Sequence, residues 1–183
     1  MVYILLGTGF EEIEAITPCD ILRRGGVEVR FVGVNGRVVT GGHGIAVESD
    51  LTIDETDPAE AEMLVVPGGL GGVESVGSCK AATDALKRAW QDGKYVCAIC
   101  AGPTLLAKLG ITDGKTVTCY PGCEAQMDNC IQTGRKAVRD GRLICGQAPG
   151  AAAEFGFLLL ETLKGKDAAE TVRKGMVFTD AGK

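Results

Sequence analysis

Cys100 lies where an apolar run, KYVCAIC (94–100), gives way to the segment AGP (101–103). The run is typical of a buried strand, and the segment after it is typical of the first turn of a helix. A thiol on such a tight turn projects above the sheet and needs small neighbours. Helix-start amides would lower its pKa and would also bind an oxyanion. Two interpretations stay open: a reactive nucleophile and a small apolar residue that fills a corner.

Glu14 is the second residue that suggests chemistry. In a helix over residues 11–24, Glu14 falls beside Pro18 and Ile21 on an apolar stripe. A carboxyl group buried beside a thiol tends to be protonated, because desolvation raises its pKa, and it can then donate a hydrogen bond to the thiolate. The alternative is a glutamate that caps a backbone amide at the helix start. The opposite, polar side of this helix carries three charged residues: Glu12, Asp20 and Arg23.

Five apolar runs of strand length recur along the chain, each bounded by glycine, proline or charge. They cover residues 2–7, 27–34, 62–69, 94–100 and 115–120. Helical patterns that end at glycine occur over residues 11–26, 78–93, 102–110 and, after Pro149-Gly150, 151–165. The alternation predicts an α/β fold whose mainly parallel sheet has helices on both faces. Asn35-Gly36 and Asp140-Gly141 are hairpin signals, and each predicts a small antiparallel addition.

Three glycine-containing loops follow predicted strands: GTGFEEIE, PGGLGG and CAGP. If the sheet is doubly wound, these loops converge on one cleft at the carboxyl ends of the strands. Gly69 in the second loop would then offer an oxyanion a second amide donor. Neither of the first two loops has a nucleotide-binding pattern, because Glu12 replaces the third glycine of a dinucleotide fingerprint and PGGLGG lacks the Lys-Ser/Thr of a phosphate loop. We therefore predict no cofactor.

Length and charge restrict the class of protein. The chain has 183 residues, and its net charge of −5 comes from interspersed charges. This predicts one domain over residues 1–183 that binds a small molecule or a protein and no nucleic acid. The N-terminal apolar run lacks a cationic leader and is too short to span a membrane, so we expect a cytoplasmic protein with no membrane partner. Most of the eight cysteines are then expected to be reduced.

Four segments together resemble the ThiJ/PfpI superfamily, in the branch of the parkinsonism-associated deglycase and its bacterial relatives. They are GFEEIEAITPCDILRRGG, VVPGG, AICAGP and APGAAAEFGF. The resemblance implies a flavodoxin-like α/β sandwich and a homodimer. It also implies a reactive elbow cysteine, here Cys100, a carboxyl partner, here Glu14, and the amides of Gly69 and Ala101 as oxyanion donors. Ile13 and Ile16, near the polar side of the first helix, independently predict a subunit interface.

The sequence departs from the family pattern at one position. Many members have a histidine just before a proline after the next strand, whereas this chain has Tyr120 there. The single histidine, His43, lies in a glycine-rich segment and is expected to be a surface turn residue. Proton transfer is therefore assigned to Glu14, with the Tyr120 hydroxyl as a further candidate. Ala101 stands where the protease branch has a histidine, so peptidase activity is not expected.

The remaining thiols allow several interpretations. Cys97 is expected to be a core residue of its strand. The residues expected to line the site are Tyr120, Cys119, Cys123 and Pro149. The thiols near Tyr120, which include Cys130, either pack in the core or resolve an oxidised Cys100. Their spacing, C-x3-C-x6-C without histidine, matches zinc sites poorly, so we predict no metal.

The predicted function is a cysteine-dependent stress response that acts on small dicarbonyls such as methylglyoxal, a glutathione-independent glyoxalase or deglycase activity. Cys100 would add to the aldehyde carbon, and Glu14 would move a proton between the two carbons. The alternative is a redox sensor or protective chaperone in which Cys100 is oxidised with little turnover. A peptidase-type hydrolase ranks below both.

Overall fold

The computed structural model describes residues 1–57 and 59–178. The strands are β1 (Val2–Leu6), β2 (Val29–Gly33), β3 (Val38–Thr40), β4 (Ala46–Glu48), β5 (Leu51–Thr52), β6 (Met63–Val66), β7 (Tyr95–Ile99), β8 (Thr116–Val117), β9 (Ile131–Gln132), β10 (Ala137–Asp140) and β11 (Leu143–Gly146). The helices are α1 (Glu12–Arg24), α2 (Leu70–Ser78), α3 (Lys80–Gln91), α4 (Gly102–Lys108), α5 (Ala152–Lys164) and α6 (Lys166–Gly175).

Seven of these strands form the central sheet, in the order β10-β11-β7-β6-β1-β2-β5. Every neighbouring pair is parallel except β10 and β11. The chain moves from β1 outward to β2 on one side and later returns to place β6 on the other. The strand order therefore reverses beside β1, which is where open α/β sheets bind their ligands. The predicted mainly parallel sheet is confirmed.

Helices cover both faces of the sheet, as predicted. In β1, Tyr3 and Leu5 pack in the core on the side of α2, α3 and α4. Its other side chains, including Ile4, pack in the core on the side of α1, α5 and α6. Side chains of a strand alternate between its faces, so a strand buried on both sides needs an unbroken apolar sequence. This explains why VYILL has no charged residue.

The predicted fifth strand, residues 115–120, is wrong as a strand of the central sheet. Only β8 forms in this segment, and it pairs with β9 in a separate two-stranded sheet. Two hydrogen bonds hold the segment elsewhere: Thr116 N–H donates to the Asp140 carboxylate at 2.8 Å, and Tyr120 N–H donates to the Cys100 carbonyl at 2.9 Å. The place beside β7 is taken by β11.

The two hairpin signals had different outcomes. Asp140-Gly141 is confirmed, since it connects β10 to β11 with Asp140 opposite Leu143. The antiparallel addition predicted from Asn35-Gly36 is confirmed as the pair β3 and β4, but the predicted turn is wrong, because the turn of this pair lies over residues 41–45. The Asn35 side chain instead accepts hydrogen bonds from Ser75 and from the Thr8 amide. Two helices, α2 and α6, were not predicted; α2 contains three glycines, which weaken a helical pattern.

Candidate functional site

Cys100 occupies the turn between β7 and α4. Its φ is +64°, a left-handed conformation that costs a residue other than glycine free energy. Two backbone hydrogen bonds hold it there: Cys100 N–H donates to the Gly146 carbonyl at 3.0 Å, and the Cys100 carbonyl accepts from Tyr120 N–H. The residue is 8% exposed. The structure thus places a nearly buried thiol on a strained strand-to-helix turn, with α4 beginning at Gly102.

Glu14 reaches the same place from the first turn of α1. Its side chain is buried, and Oε2 accepts a hydrogen bond of 2.7 Å from Gly68 N–H in the loop after β6. The partner is therefore 54 residues away in sequence and not an amide of α1, so the alternative of a helix cap is wrong. Glu14 Oε1 is buried and has no hydrogen-bond partner of good geometry among the described residues.

Gly68 brings the carboxyl group and the thiol together. A Cβ atom added at Gly68 would overlap Glu14 Oε2, lie 2.6 Å from Cys100 Cβ and lie 3.0 Å from Cys100 Sγ. No side chain fits there, so only the hydrogens of this glycine separate the two groups at that point. The loops after β1, β6 and β7 therefore converge as predicted, and each contributes one part of the site.

We expect Gly68→Ala to lower the free energy of unfolding by about 1 to 3 kcal/mol, because the added methyl group overpacks a buried site. It should also move the Glu14 carboxyl away from the Cys100 thiol. Urea unfolding measures the first effect, and the alkylation rate of Cys100 measures the second. Gly150→Ala is the matched control, since a Cβ there would meet nothing within 4 Å. Equal effects of the two substitutions would contradict the close approach at Gly68.

The surroundings of Cys100 and Glu14 shift both pKa values. Burial, then the charge of Glu14 and its hydrogen bond, raise the pKa of Cys100 to about 12, against the Ala101 and Gly69 amides, which lower it. The predicted net lowering by helix-start amides is therefore wrong. Burial also raises the pKa of Glu14 to about 7, against hydrogen bonds from Cys100 and Gly68. A buried pair of two acids resists carrying two negative charges, so the pair loses its first proton near pH 7 and keeps the second one up to about pH 12.

The raised pKa of Glu14 predicts that stability depends on pH. Its ordinary pKa is 4.5 and its folded pKa is about 7, so the folded protein keeps a proton that the unfolded chain releases. This contribution is complete below pH 4.5 and is lost as the pH rises through 7, which corresponds to about 3 kcal/mol. In urea unfolding between pH 4.5 and 7.5, Glu14→Gln should lack this decline. Parallel stability curves for the parent and the variant would contradict the raised pKa.

Gly69 and Ala101, the predicted oxyanion donors, both lie at the thiol. Gly69 precedes α2 and Ala101 precedes α4. The backbone amides of both residues interact with the Cys100 thiol and stabilise its ionised form. Gly69 has a φ of +81° and packs against the carbonyl of Gly9, a conformation and a closeness that favour glycine.

The other residues expected to line the site differ in how they are placed relative to Cys100. The backbone N–H of Tyr120 is hydrogen-bonded to the Cys100 carbonyl, and the residue is 47% exposed. Cys119 and Cys123 pack in the core on the α2–α4 side, whereas Cys100 packs on the α1–α5 side. Cys123 lines a groove of about 610 Å³ between α2 and α4. Pro149 begins a short 3-10 turn after β11.

Cys97 and Cys130 complete the thiols that the sequence singled out. Cys97 is wholly buried in β7, so its prediction as a strand core residue is confirmed. Cys130 is partly buried and its thiol donates to the Met127 carbonyl at 3.5 Å. Cys97 and Cys100 are not arranged as a redox pair, because the two thiols do not share the first turn of a helix.

The prediction for Glu12 is wrong, and that for His43 is confirmed in part. Glu12 is 4% exposed, although the helical pattern places it on a polar side. The turn between β3 and β4 covers it: Glu12 Oε1 accepts from His43 N–H at 2.8 Å, and Oε2 lies 2.9 Å from His43 Nδ1. Burial opposes ionisation of Glu12, but these hydrogen bonds outweigh it and lower its pKa. His43 lies in an exposed turn as expected, with an unexpected carboxylate partner.

Comparison with known proteins identifies the family of this chain. The sequence matches the DJ-1/PfpI family over residues 1–162. The chain belongs to the DJ-1/PfpI family. Among its DJ-1/PfpI relatives, the protein dj-1beta of Drosophila melanogaster is 35% identical over 177 residues, which cover 95% of each chain. A deglycase of Pyrococcus abyssi is 35% identical over 151 residues, which cover 81% of this chain and 90% of the relative.

Solved structures of DJ-1/PfpI proteins have the same fold. The crystal structure of Drosophila melanogaster DJ-1beta superposes with a TM-score of 0.94 at 34% identity and covers 98% of each chain. Oxidised DJ-1 of Toxoplasma gondii superposes with a TM-score of 0.94 at 28% identity, again over 98% of each chain. The flavodoxin-like fold implied by the resemblance is thereby confirmed. Among the described residues of this family member, no helix has the length and apolar character needed to cross a bilayer.

Proposed function

We propose that this DJ-1/PfpI protein converts small reactive dicarbonyls, with methylglyoxal as the representative substrate, through Cys100 and Glu14. The observation that carries the proposal is the contact at Gly68, where a thiol on a strained turn and a buried carboxyl group approach each other with no side chain between them. Strained residues and buried titratable pairs cluster at functional sites. The relationship to a deglycase supports an activity of this class.

The first step is the addition of Cys100 Sγ to the aldehyde carbon of methylglyoxal. The carboxylate of Glu14 takes the thiol proton, so the site carries one negative charge and not two. The carbonyl oxygen becomes an oxyanion and is bound by the amides of Gly69 and Ala101, the two groups that also interact with the thiol. Glu14 then gives the thiol proton to this oxygen, which completes the hemithioacetal and leaves Glu14 as a carboxylate.

The second step moves a proton between the two substrate carbons. Glu14, as carboxylate, removes the proton from the former aldehyde carbon and returns it to the neighbouring carbon, through an enediol. The hydroxyl proton of the former aldehyde oxygen passes to the ketone oxygen in the same step. A folded pKa of about 7 suits this task, because a group with that pKa both accepts and donates a proton at neutral pH. The result is a thioester of lactate on Cys100.

The third step is hydrolysis. Water attacks the thioester carbon, Glu14 takes a proton from this water and passes it to the departing Cys100 sulfur, and the lactic acid that forms releases its proton to solvent. The overall reaction adds one water to methylglyoxal and gives lactate, so no cofactor or oxidant is consumed. The small exposed fraction of Cys100 favours compact substrates over peptides. Peptidase activity is disfavoured further because Ala101 follows Cys100 where a histidine would be needed as the base.

The test is lactate formation from methylglyoxal by the purified protein without glutathione. Lactate should accumulate at a rate proportional to protein concentration, and Cys79→Ser, which removes a partly buried thiol at the start of α3, should leave the rate unchanged. Absence of lactate from a folded protein whose Cys100 is reduced, as mass spectrometry would show, would overturn the proposed turnover.

A second candidate, redox sensing or protective chaperone activity through oxidation of Cys100, has one observation in its favour. Glu14 Oε1 is buried and has no well-formed hydrogen bond within the described residues, so a protonated Oε1 is available to a sulfinate oxygen. Mass spectrometry after mild peroxide treatment distinguishes this role. Addition of two oxygens to Cys100 before any other cysteine supports it, and oxidation of another thiol first contradicts it.

We further propose a homodimer that uses the exposed side of α1. Ile13 and Ile16 are 52% and 42% exposed in the single chain, which is unusual for two neighbouring apolar side chains on one helix. A cytoplasmic location is proposed from the composition. The organisation as one domain over residues 1–183 stays a prediction.

A further inference from the structure

Three side chains meet at a second place on the protein, outside the proposed chemistry of Cys100. Glu11 and Glu12 lie at the start of α1, and His43 lies on the turn between β3 and β4. One potential ligand atom from each lies within 4.8 Å of the other two. His43 Nδ1 is 2.9 Å from Glu12 Oε2 and 3.6 Å from Glu11 Oε2. Two carboxylate oxygens and one ring nitrogen therefore face a common point.

Backbone hydrogen bonds hold these groups in place. Glu12 Oε1 accepts from the amides of His43 and Ile45, which leaves Oε2 as the oxygen that faces the imidazole. The turn itself is bound to the loop before α1, since Gly42 N–H donates to the Phe10 carbonyl at 2.8 Å. A second bond of the same length joins Gly9 N–H to the Thr40 carbonyl. The nearly buried Glu12 carboxylate is held in this way and is already positioned for an ion.

The spacing suits a transition metal ion. Zinc binds nitrogen and carboxylate oxygen at about 2.0 to 2.2 Å, so two ligands in a tetrahedral site lie about 3.4 Å apart. The distances from the imidazole to the two carboxylates, 2.9 and 3.6 Å, bracket that value. The His43 side chain is 69% exposed, whereas the Glu12 side chain is 6% exposed. An ion could therefore enter from solvent and keep a water molecule in its open position.

We propose that Glu11, Glu12 and His43 form a binding site for a divalent transition metal ion such as Zn²⁺. One imidazole and two carboxylates favour such an ion over Mg²⁺ or Ca²⁺, which prefer ligand sets of oxygen alone. The ion replaces the hydrogen bond between His43 Nδ1 and Glu12 Oε2 and links the β3–β4 turn to α1. The only metal-binding pattern weighed in the sequence was the cysteine spacing, which does not include these three residues. The proposal does not depend on Cys100 chemistry.

The chain has a single histidine, which allows a specific test. The full-length protein, without a histidine tag and freed of metal by a chelator, is titrated with Zn²⁺ while proton NMR follows the imidazole C–H signals. Thiols also bind zinc, but they do not move these signals directly. We expect the signals to shift and to saturate with one equivalent of Zn²⁺, and to stay unchanged with Mg²⁺. Signals that do not move with excess Zn²⁺ would overturn the proposal.

Two carboxylate variants separate a metal site from an ordinary ion pair. Glu11→Gln should weaken the response of the histidine signals to Zn²⁺ roughly tenfold or more, the loss typical of disturbed metal coordination. Glu48→Gln, which neutralises an exposed carboxylate on β4 of the same hairpin, should bind as the parent does. Equal Zn²⁺ affinity in Glu11→Gln and the parent would show that Glu11 is not a ligand and would contradict the three-residue site.

Discussion

Cys100→Ser should lower the rate of lactate formation from methylglyoxal by roughly a thousandfold or more, the loss typical of removing a catalytic nucleophile. The serine hydroxyl is a weaker nucleophile than a thiol at the same place, and Glu14, with a pKa of about 7, is too weak a base to activate it. Serine differs from cysteine by one atom, so the strained turn should form as before. The measurement is kcat for methylglyoxal without glutathione, with the fold checked by urea unfolding.

The control for this substitution is a cysteine elsewhere in the chain. Cys79→Ser changes a thiol at the start of α3 that takes no part in the proposed reaction, and it should retain the parent rate. If Cys100→Ser retained lactate formation within a few fold of the parent, the nucleophilic role of Cys100 would be refuted. The groups around Glu14 would then have to act on the dicarbonyl without a covalent intermediate.

Glu14→Gln should lower turnover by about 10² to 10⁴, the range typical of a lost general acid or base. Glutamine has the size of glutamate, and its side-chain oxygen can still accept the hydrogen bond from Gly68 N–H. The amide does not exchange a proton between the substrate carbons, however. The variant should therefore form the hemithioacetal with methylglyoxal more slowly than the parent, because Glu14 no longer takes the thiol proton, and should stop before the thioester, which mass spectrometry detects as an adduct on Cys100.

An exposed carboxylate provides the comparison for Glu14. Glu48→Gln removes a negative charge from the surface and should leave turnover unchanged. A Glu14→Gln variant with full activity would assign proton transfer elsewhere, and the Tyr120 hydroxyl would become the next group to replace. Tyr120→Phe in the same assay separates that role from the backbone hydrogen bond that Tyr120 makes to Cys100, because the substitution keeps the amide.

Periodicity in the sequence was enough to predict the buried strands of the sheet and the interior position of Glu14. Unbroken apolar runs such as VYILL require a sheet buried on both faces, and the order of elements then places the loops after β1, β6 and β7 at one edge. The apolar stripe of α1 placed Glu14 in the interior. These inferences led to Cys100 and Glu14 before any contact between the two was known.

The features that the sequence did not predict depend on contacts between segments that are distant in sequence. Glu12 lies on the polar side of α1 by period, but the β3–β4 turn folds over it and buries it with His43. Residues 118–120 continue an apolar pattern, yet hydrogen bonding to Cys100 removes them from the sheet. The helix start, a local feature, favours a lowered pKa of Cys100, whereas the burial and the Glu14 charge that raise this pKa come from packing between distant segments.

The most direct test of the account is the alkylation rate of Cys100 by iodoacetamide as a function of pH, for the parent, Glu14→Gln and Glu14→Leu. Cys79 and Cys130, which are partly buried, are replaced by serine in all three proteins. If the pair shares a proton, the parent rate rises with a midpoint near pH 7, the pKa of Glu14. This step should be absent from both variants, in which the buried thiol titrates alone at higher pH.

The two variants should also differ from each other. Glutamine keeps a hydrogen-bond donor to the thiolate and leucine does not. The loss of a hydrogen bond to a charged group, worth about 1.5 to 3 kcal/mol, should raise the thiol pKa in Glu14→Leu by about one to two units above that in Glu14→Gln. Three superimposable profiles would contradict the account, because Glu14 would then be a structural residue with no influence on Cys100.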